Sequence, residues 1–171
     1  MGFRRIWNNK STIGATRFDQ EIERHGRYYI LMRANKRFRC PNYRYAEGSC
    51  SSACPICLGE GYVFQYESHK MYKSLNMDAR YNAPDFIFYE FFIKQTVDVK
   101  REDHIIEIEL DNNHNVSAVI SEYEVRDTIL KFWDEDRVYS MASTIQVRLT
   151  TTAKRLRYLQ SITEKGIIGG L

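Results

Sequence analysis

All four cysteines of this chain lie within residues 40–57, in the pattern Cys40-x9-Cys50-x3-Cys54-x2-Cys57. Two thiolates in a Cys-x-x-Cys pair reach the same metal ion, and the glycines of the following "LGEG" let backbone N–H groups turn toward sulfur. Four thiolates at about 2.3 Å complete a tetrahedral Zn²⁺ site and leave no position for water. We therefore predict one structural zinc ion held by these four cysteines, in a loop insertion over residues 36–61.

Three other interpretations of the cysteines stay open at this stage. Disulfides belong to oxidising compartments and small secreted scaffolds, whereas the start "MGFRR" lacks the apolar stretch of a signal peptide. A thioredoxin-like redox pair opens a helix after a strand, whereas "LGEGY" places two glycines there. The spacing from Cys40 to Cys50 is irregular, so His69 is an alternative ligand in place of either cysteine.

The composition indicates a folded chain, predicted as a single domain over residues 1–171. Its 43% hydrophobic and 13% aromatic residues supply enough apolar area to offset chain entropy. No apolar run reaches the roughly 18 residues that a membrane-spanning helix needs. We expect a protein that is made in the cytoplasm and does not contact a membrane.

Short apolar or alternating segments at regular spacing predict a mainly β fold, either a small β-barrel or a sandwich. In "HIIEIEL" the pattern points Ile106 and Ile108 to one face and Glu107 and Glu109 to the other. The strands are predicted over residues 27–33, 62–67, 85–93, 104–110, 116–125 and 143–151.

A short N-terminal helix is predicted in "TRFDQEIERHG", with Phe18 and Ile22 as an apolar pair and Gly26 in the left-handed position after its end. Residues 1–15 show no period and are expected to form an arm, and the glycine-rich residues 163–171 a flexible tail. The acidic "DEDR" over residues 134–137 is predicted to be a solvated turn.

No catalytic constellation is recognisable, so we expect a protein that is not an enzyme. The four histidines are scattered, and the sequence has no Ser/His/Asp arrangement, phosphate loop or paired-carboxylate motif. The order of its features is more informative. A short amphipathic helix precedes "ERHGRYYILMR" and "RFRCPNY", and then come "CPICLGEGY" and a β-rich remainder.

Over roughly residues 18–67 this order resembles small virion proteins of tailed bacteriophages, in particular neck or head-to-tail connector proteins of the head-closure or stopper type. In many of these, a strand start of the form His/Tyr-Gly-Arg leads into a cysteine loop that closes in Cys-Pro-x-Cys-x-Gly-x-Gly. The motif "CPICLGEG" also resembles the zinc domain of DnaJ-type chaperones, but that domain repeats it four times and this chain has it once.

The resemblance to connector proteins implies a virion protein that forms a ring of six or twelve copies and joins the head to the tail. Neighbouring neck, portal or tail proteins would be its partners, with possible contact to DNA in the channel. Phe3, Trp7 and the tail residues Ile167, Ile168 and Leu171 would then be anchors on neighbouring copies.

Charge supports an alternative function, a zinc-ribbon module that binds nucleic acid. Residues 1–45 contain 11 Lys and Arg against three Asp and Glu, although the whole chain carries a net charge of only +3. Basic residues interleaved with aromatic ones suit phosphate pairing and base stacking. The candidate partner-binding residues of this segment are Arg33, Lys36, Arg37 and Arg39.

Overall fold

The computed structural model describes residues 17–57, 59–75, 88–133, 136–146 and 159–160. Over these residues the chain is mainly β, with six antiparallel strands whose hydrogen-bonded order β1-β2-β3-β6-β5-β4 closes in a ring. This confirms the predicted fold class. The strands are β1 (Arg27–Arg39), β2 (Tyr62–Leu75), β3 (Phe88–Lys94), β4 (His104–Leu110), β5 (Val116–Trp133) and β6 (Asp136–Gln146).

The predicted short helix is present as α1, over residues 17–25. Its end differs from the prediction, because Gly26 does not have a positive φ. The amide N–H of Gly26 donates to the carbonyl oxygen of Ile22 at 2.8 Å. A Cβ at position 26 would lie 2.4 Å from that same oxygen. The close approach of the backbone therefore requires a glycine at this position.

Three strands extend further than their local patterns predict, and one of them, β2, continues to Leu75 instead of ending at residue 67. β1 continues to Arg39, so residues 36–39 lie in a strand and not in the loop insertion. β5 continues to Trp133 because it pairs with β6, where Phe132 lies opposite Arg137 and Trp133 opposite Asp136. The "DEDR" segment was therefore wrongly predicted as a turn at Asp136 and Arg137, which belong to β6; residues 134–135 are outside the described part.

The remaining boundaries match the prediction, differ from it in β6, or lie outside the described residues. β4 matches its prediction, whereas β6 begins earlier than the predicted residues 143–151 and ends at Gln146 within the described part. The predicted arm over residues 1–15 and tail over residues 163–171 are outside the described part. Among the residues that the structure describes, no helix has the length and apolar character needed to cross a membrane.

The chain divides into two compact units. Unit 1 comprises Met1–Tyr29, His69–Glu102 and Tyr123–Gln146. Its centre is aromatic: the ring of Phe91 contacts those of Tyr29 and Tyr123 edge-on, at centroid distances of 5.2 and 5.1 Å. All three side chains are fully buried. Lys73 reaches this cluster and donates from Nζ to the hydroxyl of Tyr123 at 3.1 Å.

Unit 2 comprises Ile30–Ser68, Asp103–Glu122 and Val147–Leu171. Its buried cluster combines all four cysteines with aliphatic and aromatic side chains. Within β4, Glu107 is on the face predicted to lie opposite Ile106 and Ile108, and it is nevertheless buried, at 4% exposure. The non-cysteine members of the cluster are Ile30, Met32, Phe64, Ile106, Ile108, Val116 and Leu159.

Candidate metal centre

The cysteine loop, defined here as residues 40–61, connects the neighbouring strands β1 and β2. The amide N–H of Cys40 donates to the carbonyl oxygen of Gly61 at 3.0 Å. This hydrogen bond joins the first residue of the loop to the last. The loop is therefore closed at its base, and Cys40 is held by the end of a strand.

A short hairpin explains the irregular spacing between the first two cysteines. Arg44 and Ser49 form an antiparallel bridge in which the amide of Arg44 donates to the carbonyl of Ser49 at 2.9 Å. Gly48 completes the turn with a φ of 64°. The hairpin reverses the chain, and Cys50 thereby returns to the side of Cys40.

Cys54 and Cys57 lie on successive tight turns. The amide of Glu60 donates to the carbonyl of Cys57 at 2.9 Å, which folds the chain back directly after the Cys-x-x-Cys pair. Gly59 and Gly61 follow with φ values of 100° and 77°. Residues with a Cβ rarely adopt these values, so the backbone itself requires the glycines of "LGEG".

The four sulfur atoms form one compact, buried group. Cys40, Cys50, Cys54 and Cys57 are free thiols, and their Sγ atoms all lie within 4.8 Å of one another. The Sγ atoms of Cys40 and Cys54 are 3.6 Å apart. Tetrahedral coordination with 2.3 Å bonds separates sulfur atoms by about 3.8 Å, so the group is suited to a single metal ion. His69, the alternative ligand, is not a member of this group.

Hydrogen bonds favour the thiolate form at one of the four positions. Burial opposes ionisation of Cys54, but donation from the backbone of Cys57 and Ile56 and from the side chain of Asn42 lowers its pKa to about 6. The amide nitrogen Nδ2 of Asn42 lies 3.4 Å from the Cys54 sulfur. Backbone and amide donors around a ligand sulfur are the usual environment of a structural metal site.

At two other positions, Cys50 and Cys40, burial and contact with neighbouring sulfur atoms disfavour the thiolate form. Hydrogen bonding with Cys57, followed by burial, raises the pKa of Cys50 to about 12. Burial is the main cause of a raised pKa at Cys40. The Cys50 thiol donates to the backbone carbonyl of Asn42 at 3.4 Å. Metal ligation requires thiolates, so binding of an ion here releases protons.

Arg39, predicted as a partner-binding residue, packs instead against the base of the cysteine loop. Its guanidinium lies over the rings of Tyr43 and Tyr62, with its central carbon at 4.5 and 4.4 Å from their centroids. Tyr43 belongs to the loop and Tyr62 opens β2. Arg39 therefore links the loop to the strand by two cation–π contacts.

The other predicted partner-binding residues fall into three groups. Arg33 forms a two-point ion pair with the buried Asp103, at 2.8 and 2.5 Å, so its charge is compensated within unit 2. Lys36 and Arg37 are exposed on the last part of β1. Phe3 and Trp7, like Ile167, Ile168 and Leu171, lie outside the described residues.

Two features were missed by the sequence reading. Asn42 contacts both Cys54 and Cys50. The only sign of this role in the sequence is its position two residues after Cys40. His104 lies 2.7 Å from the buried carboxylate of Glu122, between Nδ1 and Oε1. No local pattern relates these two residues, because β4 and β5 bring them together. The pair is a hydrogen-bonded contact inside unit 2, and neither residue is close to the cysteine pattern in sequence.

No protein-family model and no curated protein sequence matches this chain. The geometry of the site itself is therefore the basis for its chemistry. Four buried sulfur ligands fill the coordination sphere of a tetrahedral ion, and a sphere filled by protein ligands holds structure rather than activating a substrate.

Proposed function

We propose that the cysteine loop binds a structural zinc ion through Cys40, Cys50, Cys54 and Cys57. Thiolate ligands and tetrahedral geometry favour Zn²⁺ among the common divalent ions. The convergence of four buried sulfurs within 4.8 Å supports this assignment. Elemental analysis of the purified, reduced protein should find one zinc per chain. A stoichiometry near zero, with four titratable thiols, would contradict it.

We further propose that the protein is a structural component of a tailed-phage virion, a ring protein of the neck that joins head to tail. The observation that supports this function is the metal-suited cysteine group, since the motif that carries the resemblance to connector proteins ends in these cysteines. A metal-stiffened loop presents a fixed surface without a core of its own. Such a role needs no catalytic residues, and the protein would act in the virion after synthesis in the host cytoplasm.

Assembly of six or twelve copies in a ring requires contacts between different surfaces of the same chain. The remaining partners would be neighbouring portal, neck or tail proteins, with the exposed Lys36 and Arg37 as candidate contacts to an acidic surface or to DNA in the channel. These assignments go together, and one location experiment tests them.

The experiment is to purify particles produced from the genome that encodes this chain, and to search for the chain by mass spectrometry. Antibody-labelled particles viewed by electron microscopy should then carry label at the junction of head and tail. A chain that is abundant in lysates but missing from purified particles would refute the virion role. Label confined to the tail tip or capsid surface would refute the neck position.

A nucleic-acid-binding function is the second candidate, and one surface feature favours it. Lys36 and Arg37 are exposed beside Phe38, which is 62% exposed on the last part of β1. This arrangement suits phosphate contacts with base stacking. A gel shift over a salt series should show binding that weakens steeply with salt, and a Lys36→Gln/Arg37→Gln variant should bind more weakly. The absence of any shift at low salt would eliminate this function.

A further inference from the structure

A row of apolar side chains crosses the outer face of four strands in unit 1. Tyr72 on β2 lies opposite Phe92 on β3, Phe92 lies opposite Met141 on β6, and Met141 lies opposite Ile129 on β5. Residues directly opposite one another in antiparallel strands point to the same face of the sheet. The four side chains therefore form one continuous stripe, about 14 Å long over three strand spacings.

The stripe is accessible, although its residues are large and apolar. Tyr72 is 50% exposed and Ile129 is 39% exposed, while Phe92 and Met141 are half-buried. The rings of Tyr72 and Phe92 are 6.2 Å apart, so this end of the stripe is continuous at the level of side chains. A contiguous apolar surface of this kind commonly marks an interaction site.

Helix α1 turns one end of the stripe into a groove. Phe18 and Ile22 from the helix, with Tyr72 and Phe92 from the sheet, line a cavity of about 500 Å³. Glu21 and His25 also line it and form a contact with each other at 3.4 Å. The groove has an apolar floor and a carboxylate in its lining.

Acidic residues flank the stripe on one side. The next row of the same face, two residues along each strand, contains Glu90 on β3 and Asp127 on β5, with Ser143 opposite both. A ligand that fits both rows must present apolar groups to the stripe and positive charge to the carboxylates beside it. The chain itself contains such a segment before α1.

Residues 3–7 read Phe-Arg-Arg-Ile-Trp and combine three large apolar side chains with two arginines. They are joined to the start of α1 by residues 8–16, which span at most about 30 Å when extended. A linker of this length does not confine the segment to its own chain. We propose that the stripe binds residues 3–7 of a second copy of this chain, with Arg4 and Arg5 facing Glu90 and Asp127.

This inference rests on the proposed ring. A ring is built from a heterologous contact, in which one surface of each copy binds a different surface of the next. The N-terminal segment and the stripe are two such surfaces on one sequence. The contact would convert an exposed apolar row into an interface and give Phe3 and Trp7 their partner.

The first test uses the full-length chain with Phe3→Ser, Ile6→Ser and Trp7→Ser, so that its own segment does not compete. A fluorescein-labelled peptide of residues 1–12 should bind to it, as measured by anisotropy. Ile129→Lys should weaken this binding about tenfold or more, because it places a charge in the apolar row. The matched control is Ile120→Lys, also on β5 and 42% exposed but outside the stripe. No peptide binding, or equal loss with both variants, would overturn the proposal.

The second test identifies which copy supplies the segment. The photo-crosslinking residue p-benzoylphenylalanine replaces Ile129 in the full-length chain, and ¹⁴N- and ¹⁵N-labelled copies are mixed before irradiation. Links between light and heavy chains at residues 1–10 are expected. Links within one chain only, or no links to this segment, would overturn the assignment to a second copy. Labelling at the virion neck tests the proposed function separately, so either can fail without the other.

Discussion

The two units place different chemistry at their centres. Unit 1 is built around three aromatic side chains in edge-on contact, Tyr29, Phe91 and Tyr123, whereas unit 2 gathers four thiols among its aliphatic residues. Burial of hydrocarbon stabilises a fold without any added component. Four thiols within 4.8 Å of one another do not stabilise a fold in this way. Two of them have raised pKa values, through burial and mutual hydrogen bonding. Unit 2 is therefore expected to depend on a metal ion and unit 1 is not.

The largest effect on this difference between the units is expected from substitution of one cysteine. Cys57→Ser leaves three sulfurs, and we expect loss of the metal and of the folded cysteine loop. Structural zinc sites contribute roughly 10–16 kcal/mol of apparent binding free energy in small peptides, which exceeds the stability of many whole domains. Elemental analysis and hydrogen exchange together measure the effect: residues 40–61 should lose protection while β3 in unit 1 retains it.

The matched control for this substitution is Ser52→Ala, an exposed serine in the same loop. It should keep the full metal content and the protection of residues 40–61. A Cys57→Ser protein that still binds one metal per chain would show that the fourth ligand is another residue. Equal loss of protection in β3 would show that the units do not differ as proposed.

The converse substitution lies in the aromatic centre of unit 1. Phe91→Ala removes a fully buried ring that contacts both Tyr29 and Tyr123, and should lower the free energy of unfolding by about 3–5 kcal/mol. The metal content should stay unchanged. Urea denaturation with elemental analysis checks both, and Tyr45→Ala, at a site 79% exposed, should change stability by no more than about 0.5 kcal/mol. Loss of metal on Phe91→Ala would contradict the separation.

The difference between the units also explains what the sequence could predict. Three of the four cysteines lie within eight positions, and a metal site made of such near neighbours is recognisable from spacing alone. The role of Cys50 was less certain because the hairpin between Arg44 and Ser49, which returns the chain, has no strong local pattern. Arg39 was assigned to a partner because its stacking on Tyr62 joins residues that are distant in sequence.

Features that depend on strand register were not predictable in the same way. The outer part of β5 is maintained by its pairing with β6, which overrides a weak local pattern. Glu107 is buried, and the alternation of β4 alone does not indicate this, since it assigns the residue to a face without showing what covers that face. The apolar stripe requires the registers of four strands at once, and no single segment of the sequence shows that Tyr72 and Ile129 belong to one row.

A smaller test addresses the backbone of the cysteine loop. Gly61 has a φ of 77°, and a Cβ there would meet the ring of Tyr43 at 3.0 Å; Gly48 has a φ of 64° with nothing within 4 Å. Both alanine variants share the backbone strain, but only Gly61→Ala adds a steric contact. We expect destabilisation of about 1 kcal/mol for Gly48→Ala and about 2–3 kcal/mol for Gly61→Ala. Equal values in thermal unfolding would show that Tyr43 moves aside at no cost.

The smallest expected effect is on the pH dependence of stability and comes from Asp111, in the turn between β4 and β5 of unit 2. This turn is distant in sequence from the four cysteines. Oδ1 of Asp111 accepts hydrogen bonds from the backbone amides of Asn115 and Asn113, at 2.9 and 2.8 Å. Donation from the backbone of Asn115 is the largest cause that lowers the pKa of Asp111 below its usual value of 3.8. A lowered pKa in the folded state means that the carboxylate stabilises the fold above pH 3.8 and that this contribution is lost as the pH falls through the folded-state pKa.

Asp111→Asn should therefore lower the urea midpoint slightly at pH 7 and leave it nearly unchanged at a pH below the folded-state pKa, where the native carboxyl is itself protonated. The comparison is best made on unfolding curves at both pH values. Because the side chain is fully exposed, the difference should be smaller than that of any substitution above. A variant that is equally destabilised at both pH values would indicate that the turn depends on the shape of the side chain and not on its charge.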